Sequence, residues 1–226
     1  MEASRPPVPG CENLRMTAEP ATRLRADARR NRDQIIAAAK AVFAEHGPDV
    51  PMEEIARRAG VGVGTLYRRF PDRETLIRAI AQENFGTVLD DARAAAAEEP
   101  TAWDALVRLM GRSRDLRLSV RLAVLSPPAW ATIRDDPRTQ QFRDGIITVI
   151  DDLVRRAQAD GVLRADIGPG DVAAIVSLLL HRVPVTDDET ADLILERALI
   201  VILDGLRASP GTPLPGRPIT GQDLIH

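Results

Sequence analysis

Apolar residues recur at three- and four-residue intervals along most of the chain, the spacing that puts them on one face of a helix. Ile35, Ile36, Ala39, Val42 and Phe43 predict a first helix over 27–46, and Gly47-Pro48 supplies both a left-handed stop and a breaker. Pro51 suits the first turn of a short second helix. Glu53 and Glu54 suit its positive end, Ile55 and Ala59 point inward, and Gly60 ends it. Gly64 to Phe70 reads as another two-turn helix closed by Pro71, and Asp72 as the N-cap of a longer one through Leu76, Ile77, Ile80 and Phe85. Further helices are predicted over about 101–125, 138–159, 169–182 and 188–207. Pro127-Pro128 breaks the chain after the first of these, Gly161 caps the second, and Pro169 and Pro184 bound the third. No segment alternates with a period of two, so the expected fold class is all-α.

Proline and glycine then set the boundaries. Pro6, Pro7, Pro9 and Pro20 predict a disordered tail over 1–22, within which Met16 offers an alternative start. Pro210, Pro213, Pro215 and Pro218, with Gly211, Gly216 and Gly221, predict a second disordered tail over 209–226. Between them the reading gives a unit at 23–80 and a helical body at 81–208. Lys+Arg number 30 against 33 Asp+Glu, a net of -3, so the molecule is not a simple polycation. The charge is unevenly spread. Residues 23–80 carry +4, residues 1–22 carry -1, and residues 81–226 carry -6, so a basic unit precedes an acidic body. Aromatics at 3% argue against a base-stacking platform. One cysteine, Cys11, excludes an internal disulfide, and the proline-rich, charged start lacks the apolar run of a signal peptide, so a soluble cytoplasmic protein is expected.

The block from Glu53 to Phe70 has the layout of a helix-turn-helix, whose second helix enters the DNA major groove by its N-terminal residues. Gly62 and Gly64 keep that entry bare. Val63 suits a thymine methyl, Thr65 a phosphate or base edge, and Arg68 a fork onto guanine O6 and N7. Tyr67, Arg69 and Arg73 lie where phosphates would run.

From Ile55 to Leu76 the residues Ile55-Ala56, Ala59-Gly60-Val61, Gly64-Thr65-Leu66-Tyr67, Phe70 and Arg73-Glu74 resemble the signature of TetR-type transcriptional regulators, a likeness that spans about Arg32 to Ile80. Around Pro127–Arg138 and Gly161–Asp171 there is a fainter likeness to the SbtR-like C-terminal branch. The resemblance implies a homodimeric DNA-binding repressor, not an enzyme, that is released from an inverted-repeat operator by a small molecule bound in the C-terminal half. Val63, Thr65, Arg68 and Arg69 would then face the groove, and Tyr67 and Arg73 would hold phosphates. Two residues depart from the pattern. Pro51 stands where the family often has a phosphate-donating Thr or Ser, and Gly62 where a polar residue is common. The alternative is a helical enzyme or ligand-sequestering protein that keeps the helix-turn-helix shape.

Nothing else in the sequence assembles a catalytic, metal or cofactor site. The glycines at 60, 62 and 64 follow no strand and precede no Gly-Lys-Ser/Thr, and His46, His181 and His226 lie far apart. For the effector, the large residues of 101–182 are the candidates: Trp103, Leu106, Met110, Trp130, Phe142 and Ile146, with His181 on an otherwise apolar helix and core packing as the alternative for each. Arg114, Arg117 and Arg121, with Arg108 and Arg112 nearby, read as a solvated stripe or as a cationic patch facing an anionic ligand. The helix over 188–207 is apolar on so many sides that a dimer interface through about 169–207 is expected.

Overall fold

The computed structural model describes residues 18–112, 118–119, 122, 126–180, 188–208 and 211–224. Helix α1 spans Ala18–His46 and so begins inside the segment expected as a tail. The reason is local: Ala18, Ala21, Leu24, Ala26 and the intervening arginines favour helix, and Pro20 falls in the first turn, where its missing N–H has no helical partner to lose. Helices α2 (Met52–Ala59) and α3 (Val63–Arg69) follow the predicted pattern. Asp72 caps α4, Arg73–Glu98, by accepting the Thr75 N–H at 2.7 Å. Helix α5 is Ala102–Arg112, with Thr101 accepting the Asp104 N–H at 3.1 Å.

The Pro127-Pro128 pair does not simply break the chain. It opens a helix the sequence reading omitted, α6 at Pro127–Arg134, with Ser126 accepting the Ala129 N–H at 3.3 Å. Prolines fit the first turn because those amides have no helical acceptor anyway. Helix α7 is Pro137–Ala159, α8 is Pro169–Leu179 and α9 is Asp188–Leu206. Among the described residues no strand forms; Leu163 and Arg207 make one isolated antiparallel bridge.

Two cores share α4. Its first half sends Leu76, Ile77, Ile80 and Ala81 into a cluster with Ile35, Val42 and Phe43 of α1, Ile55 of α2 and Leu66 of α3. Its second half sends Val88, Leu89, Ala92 and Ala95 into the body core with Leu106, Leu153, Val154 and Val172. Phe85 touches both. A boundary at residue 80 therefore falls inside a continuous helix. Ala129 and Ile133 of α6 and Leu122 pack into the N-terminal core. Asp136, 7% exposed, ties the halves together: it caps α7 through the Thr139 N–H at 2.8 Å and accepts from Gln82 of α4 at 3.0 Å. Burial pushes its pKa up, but the bonds from Gln82 and Thr139 outweigh burial and hold it below the usual carboxylate value.

The second expected tail is also corrected. Residues 211–224 dock as an extended strap beside residues 164–171, in one register 48 residues apart. Arg164 donates to the Thr212 carbonyl at 3.0 Å, Asp166 accepts from Leu214 N–H at 3.0 Å, and Asp171 accepts from Ile219 N–H at 2.8 Å. The same Asp171 oxygen accepts the Gly168 N–H at 2.8 Å, so one carboxylate caps α8 and pins the strap. Contact is close enough that a Cβ at Gly168 or Gly170 would strike the Ile219 or Thr220 carbonyl, and one at Gly221 would strike Ile147 of α7. A short 3-10 turn, Gly221–Leu224, closes the segment. Proline and glycine preclude a helix here, yet leave carbonyls and the amides of Leu214 and Ile219 free to bind a ready-made edge.

Gly221→Val should displace the strap while leaving the helices. Hydrogen exchange read by mass spectrometry should accelerate over 211–224 with helical circular dichroism retained; unchanged protection there would refute the docking. Asp171→Ala should lower unfolding free energy by about 1–3 kcal/mol in denaturant melts, the usual cost of hydrogen bonds lost from a charged acceptor.

Candidate nucleic-acid interface

The α2–α3 unit is built from the inside. Met52, Ile55 and Ala56 of α2, Leu66 of α3 and Phe70 just after it are all buried against α1 and α4. Gly60 ends α2 at φ 68, a left-handed backbone that a side chain disfavours, and its turn is closed by the Val61 N–H on the Ala56 carbonyl at 3.1 Å. Gly62 then starts α3 by accepting the Thr65 N–H at 2.8 Å. Gly64 has open space around its missing Cβ, so packing does not require a glycine there; its effect is to leave bare backbone at the outer start of α3.

The opposite face of α3 is outward. Val63 is 42% and Tyr67 40% exposed, Arg68 and Arg69 are exposed, and Thr65 is half-buried. Arg68 donates to the Thr65 hydroxyl at 3.2 Å, which aligns the two along the helix. Five of the six predicted DNA-binding residues thus occur together on one short helix. The sixth, Arg73, stands at the start of α4, half-buried, and donates from Nη1 to the Pro48 carbonyl. That bond fixes the start of α4 against the α1–α2 turn.

Sequence reasoning missed Glu53. Its carboxylate accepts from the Tyr67 hydroxyl at 3.0 Å, and this bond, with some burial, raises the tyrosine's pKa. No helical spacing links residues 14 apart on two helices, so only the tertiary turn reveals the pair. Arg57 and Arg58, read as a solvated face, are exposed and paired with Glu54 at 2.9 Å and Glu45 at 2.8 Å.

The effector candidates divide. Trp103, Leu106, Met110 and Ile146 are buried in the body core, Phe142 packs against it, and the Arg207 guanidinium lies 4.8 Å from the Trp103 ring centre. Trp130 is set apart on α6, 38% exposed, with Arg134 at 6.0 Å from its ring. His181 lies outside the described residues, as do Arg114, Arg117 and Arg121. Arg108 pairs with Glu98 at 2.8 Å and Glu99 at 2.9 Å. An open cleft of about 530 Å³ between α4 and the α6–α7 turn is lined by Arg78, Ala131, Thr132, Asp135, Asp136 and Pro137, and none of the candidates lines it. Among the described residues no three His, Cys, Asp or Glu side chains are grouped to hold a metal, and no helix is long and apolar enough to cross a membrane.

Residues 35–80 match the model for bacterial regulatory proteins of the tetR family, and residues 119–208 match that for the C-terminal domain of SbtR-like transcriptional regulators. An HTH-type transcriptional regulator of Staphylococcus aureus strain USA300 is 39% identical over 62 residues, 27% of this chain and 34% of that protein. The chain thus spans about a third of the length of the curated relatives it matches. A TetR transcriptional regulator from Streptomyces coelicolor is 32% identical, with 78% of this chain and 98% of that one covered at a TM-score of 0.55. A gamma-butyrolactone receptor described as ArpA-like is 25% identical, with 80% and 90% covered at a TM-score of 0.59.

The cap that orients α4 gives a pH-dependent test. The Thr75 bonds hold the Asp72 carboxyl below its ordinary pKa, so its contribution is complete above the unfolded carboxylate value and lost as pH falls through the folded one. Asp72→Ala should cost about 0.5–2 kcal/mol at neutral pH. The difference from the wild type should shrink below about pH 4; a pH-independent difference would refute the ionised cap.

Proposed function

Because the chain belongs to the TetR family of bacterial regulatory proteins, we propose that it is a ligand-responsive DNA-binding transcriptional regulator: a homodimeric repressor that a small molecule releases from an inverted-repeat operator. The observation that carries this reading is α3 itself. Val63, Thr65, Tyr67, Arg68 and Arg69 share a seven-residue helix held from behind by buried Leu66, with bare backbone at its entry. Such a helix fits the major groove, with Arg68 on a base pair, Val63 on a thymine methyl, and Tyr67, Arg69 and Arg73 toward phosphates. Each subunit reaches only a few base pairs, so useful specificity calls for two half-sites. The protein acts in the cytoplasm, where the DNA is, and performs no chemistry on its ligands.

The body supplies the partner copy. Leu178 of α8 is 71% exposed, and Leu193, Ile200 and Val201 of α9 are 54%, 54% and 71% exposed. Each large apolar side chain left in water forgoes about 1.5–3 kcal/mol. Leu199 and Ile202, on the same helix, pack against the body core instead. Pairing α8 and α9 with their symmetry mates covers the exposed set in a four-helix contact. The effector belongs in the apolar interior bounded by Trp103, Leu106, Met110, Phe142 and Ile146. Similarity to a gamma-butyrolactone receptor supports a small-molecule ligand, and the apolar lining supports a largely apolar one. Binding would favour a dimer whose recognition helices no longer match successive grooves, about 34 Å apart.

Selection from a random duplex library should enrich an inverted repeat; enrichment of no sequence overturns the reading. Arg68→Ala should lose about 1–3 kcal/mol at one base pair per half-site, measured by titration against single-base variants. Equal loss on all sequences would show that Arg68 does not read bases. Val201→Glu should give a folded monomer in sedimentation that no longer binds the selected repeat, because it would bury an unpaired charge at the contact. A wild-type chain that sediments as a monomer at micromolar concentration would refute the dimer.

A further inference from the structure

We propose that Glu53 is a built-in brake on DNA affinity: its carboxylate occupies the Tyr67 hydroxyl that a DNA phosphate would otherwise take. The inference rests on the regulator reading above and concerns how strongly that same surface binds. A phenol has one proton to donate, and in this structure it goes to Glu53 Oε1 at 3.0 Å. Phosphate and ionised carboxylate are both acceptors only, so the hydroxyl serves one or the other. When phosphate wins, Glu53 is left as a like charge beside it.

The rest of α2's first turn points the same way. A helix start ordinarily offers free amides and a positive dipole end to an anion. Here Pro51 at the N-cap has no N–H and makes no side-chain cap bond, while Glu53 and Glu54 set two negative charges against the dipole. Glu54 is engaged by Arg57 at 2.9 Å, on the same helix. Glu53 instead reaches across the turn to α3, and it is exposed, so its charge acts where DNA must approach. The first turn of α2 is therefore arranged to repel a phosphate while α3 attracts one. Affinity then depends more on base contacts by Arg68 and Val63, and the complex is easier to release.

Tyr67 is the only tyrosine in the chain, which makes the pair accessible to two measurements. In the first, binding is titrated with the selected duplex and with a scrambled duplex. Glu53→Gln should bind both about three- to tenfold more tightly, the effect expected of one like charge removed at surface dielectric. The second variant, Glu53→Ala, removes the acceptor altogether. Tyr67→Phe should then weaken binding more in the Glu53→Ala background than in the wild type, because only there is the hydroxyl free for phosphate. In the second measurement, near-ultraviolet absorbance follows ionisation of Tyr67 without DNA, and its pKa should fall in Glu53→Ala, with Arg73 the charged neighbour acting in the same downward direction. Unchanged or weaker binding by Glu53→Gln, or an additive cycle, overturns the brake while leaving the regulator reading intact. A wild-type chain that binds neither duplex overturns the regulator reading, and the absorbance titration then reports only whether the Glu53 carboxylate acts on Tyr67, by bond or by charge.

Discussion

Everything in this molecule depends on one helix being buried twice. Over Arg73–Glu98, α4 must match the small N-terminal core at one end and the body core at the other, and no loop intervenes to absorb a misfit. The helix meets this with short, closely fitted contacts. Gly86 faces the Phe142 ring of α7, and Gly145 of α7 faces Leu89, so α4 and α7 approach through positions where one partner has no side chain. Lys40 of α1 bonds Glu83 at 2.7 Å and Asp136 bonds Gln82 at 3.0 Å, which fixes the rotation of α4 where the two cores meet. Helix α3 inherits its position from this arrangement, because buried Leu66 and Phe70 seat it against the same core.

The outward surface follows a different logic. Its chemistry is produced by side chains that have a second partner within the protein: Arg68 with Thr65, Tyr67 with Glu53, Arg73 with Pro48. Such pairs hold rotamers in place before any partner arrives, which lowers the ordering entropy of an encounter. Each internal bond must also be kept, shared or given up when a partner meets this surface.

What the sequence revealed and what it hid divide by distance along the chain. The helix-turn-helix was legible because its determinants are local: Gly60 for the left-handed turn, Asp72 for the cap, Ile55 and Leu66 for the buried face. The same holds for α7 and α8, where apolar periodicity and N-terminal prolines act within a turn or two, and for α9 through its apolar periodicity. Helix α6 was hidden because Pro127-Pro128 is read as a break or as a start depending on Ser126, whose hydroxyl supplies the cap. The start of α1 was hidden because Pro20 counts by composition toward a disordered tail, whereas in a first turn it costs no helical bond. The strap was hidden for a deeper reason. Composition says only that residues 211–224 cannot build a core of their own; it cannot say that Asp166 and Asp171 offer acceptors at the right register. Size alone puts Trp130 among the effector candidates, and size does not tell which core a helix serves.

The length of α4 has a mechanical consequence. A helix of 26 residues is a rod of about 39 Å, at roughly 1.5 Å per residue, with the body core gripping one end and α3 seated near the other. A tilt of about 5° at the gripped end sweeps the far end through roughly 3 Å. Any change of angle at the gripped end is therefore magnified with distance along the rod, and α3, seated on the far half, is carried with it.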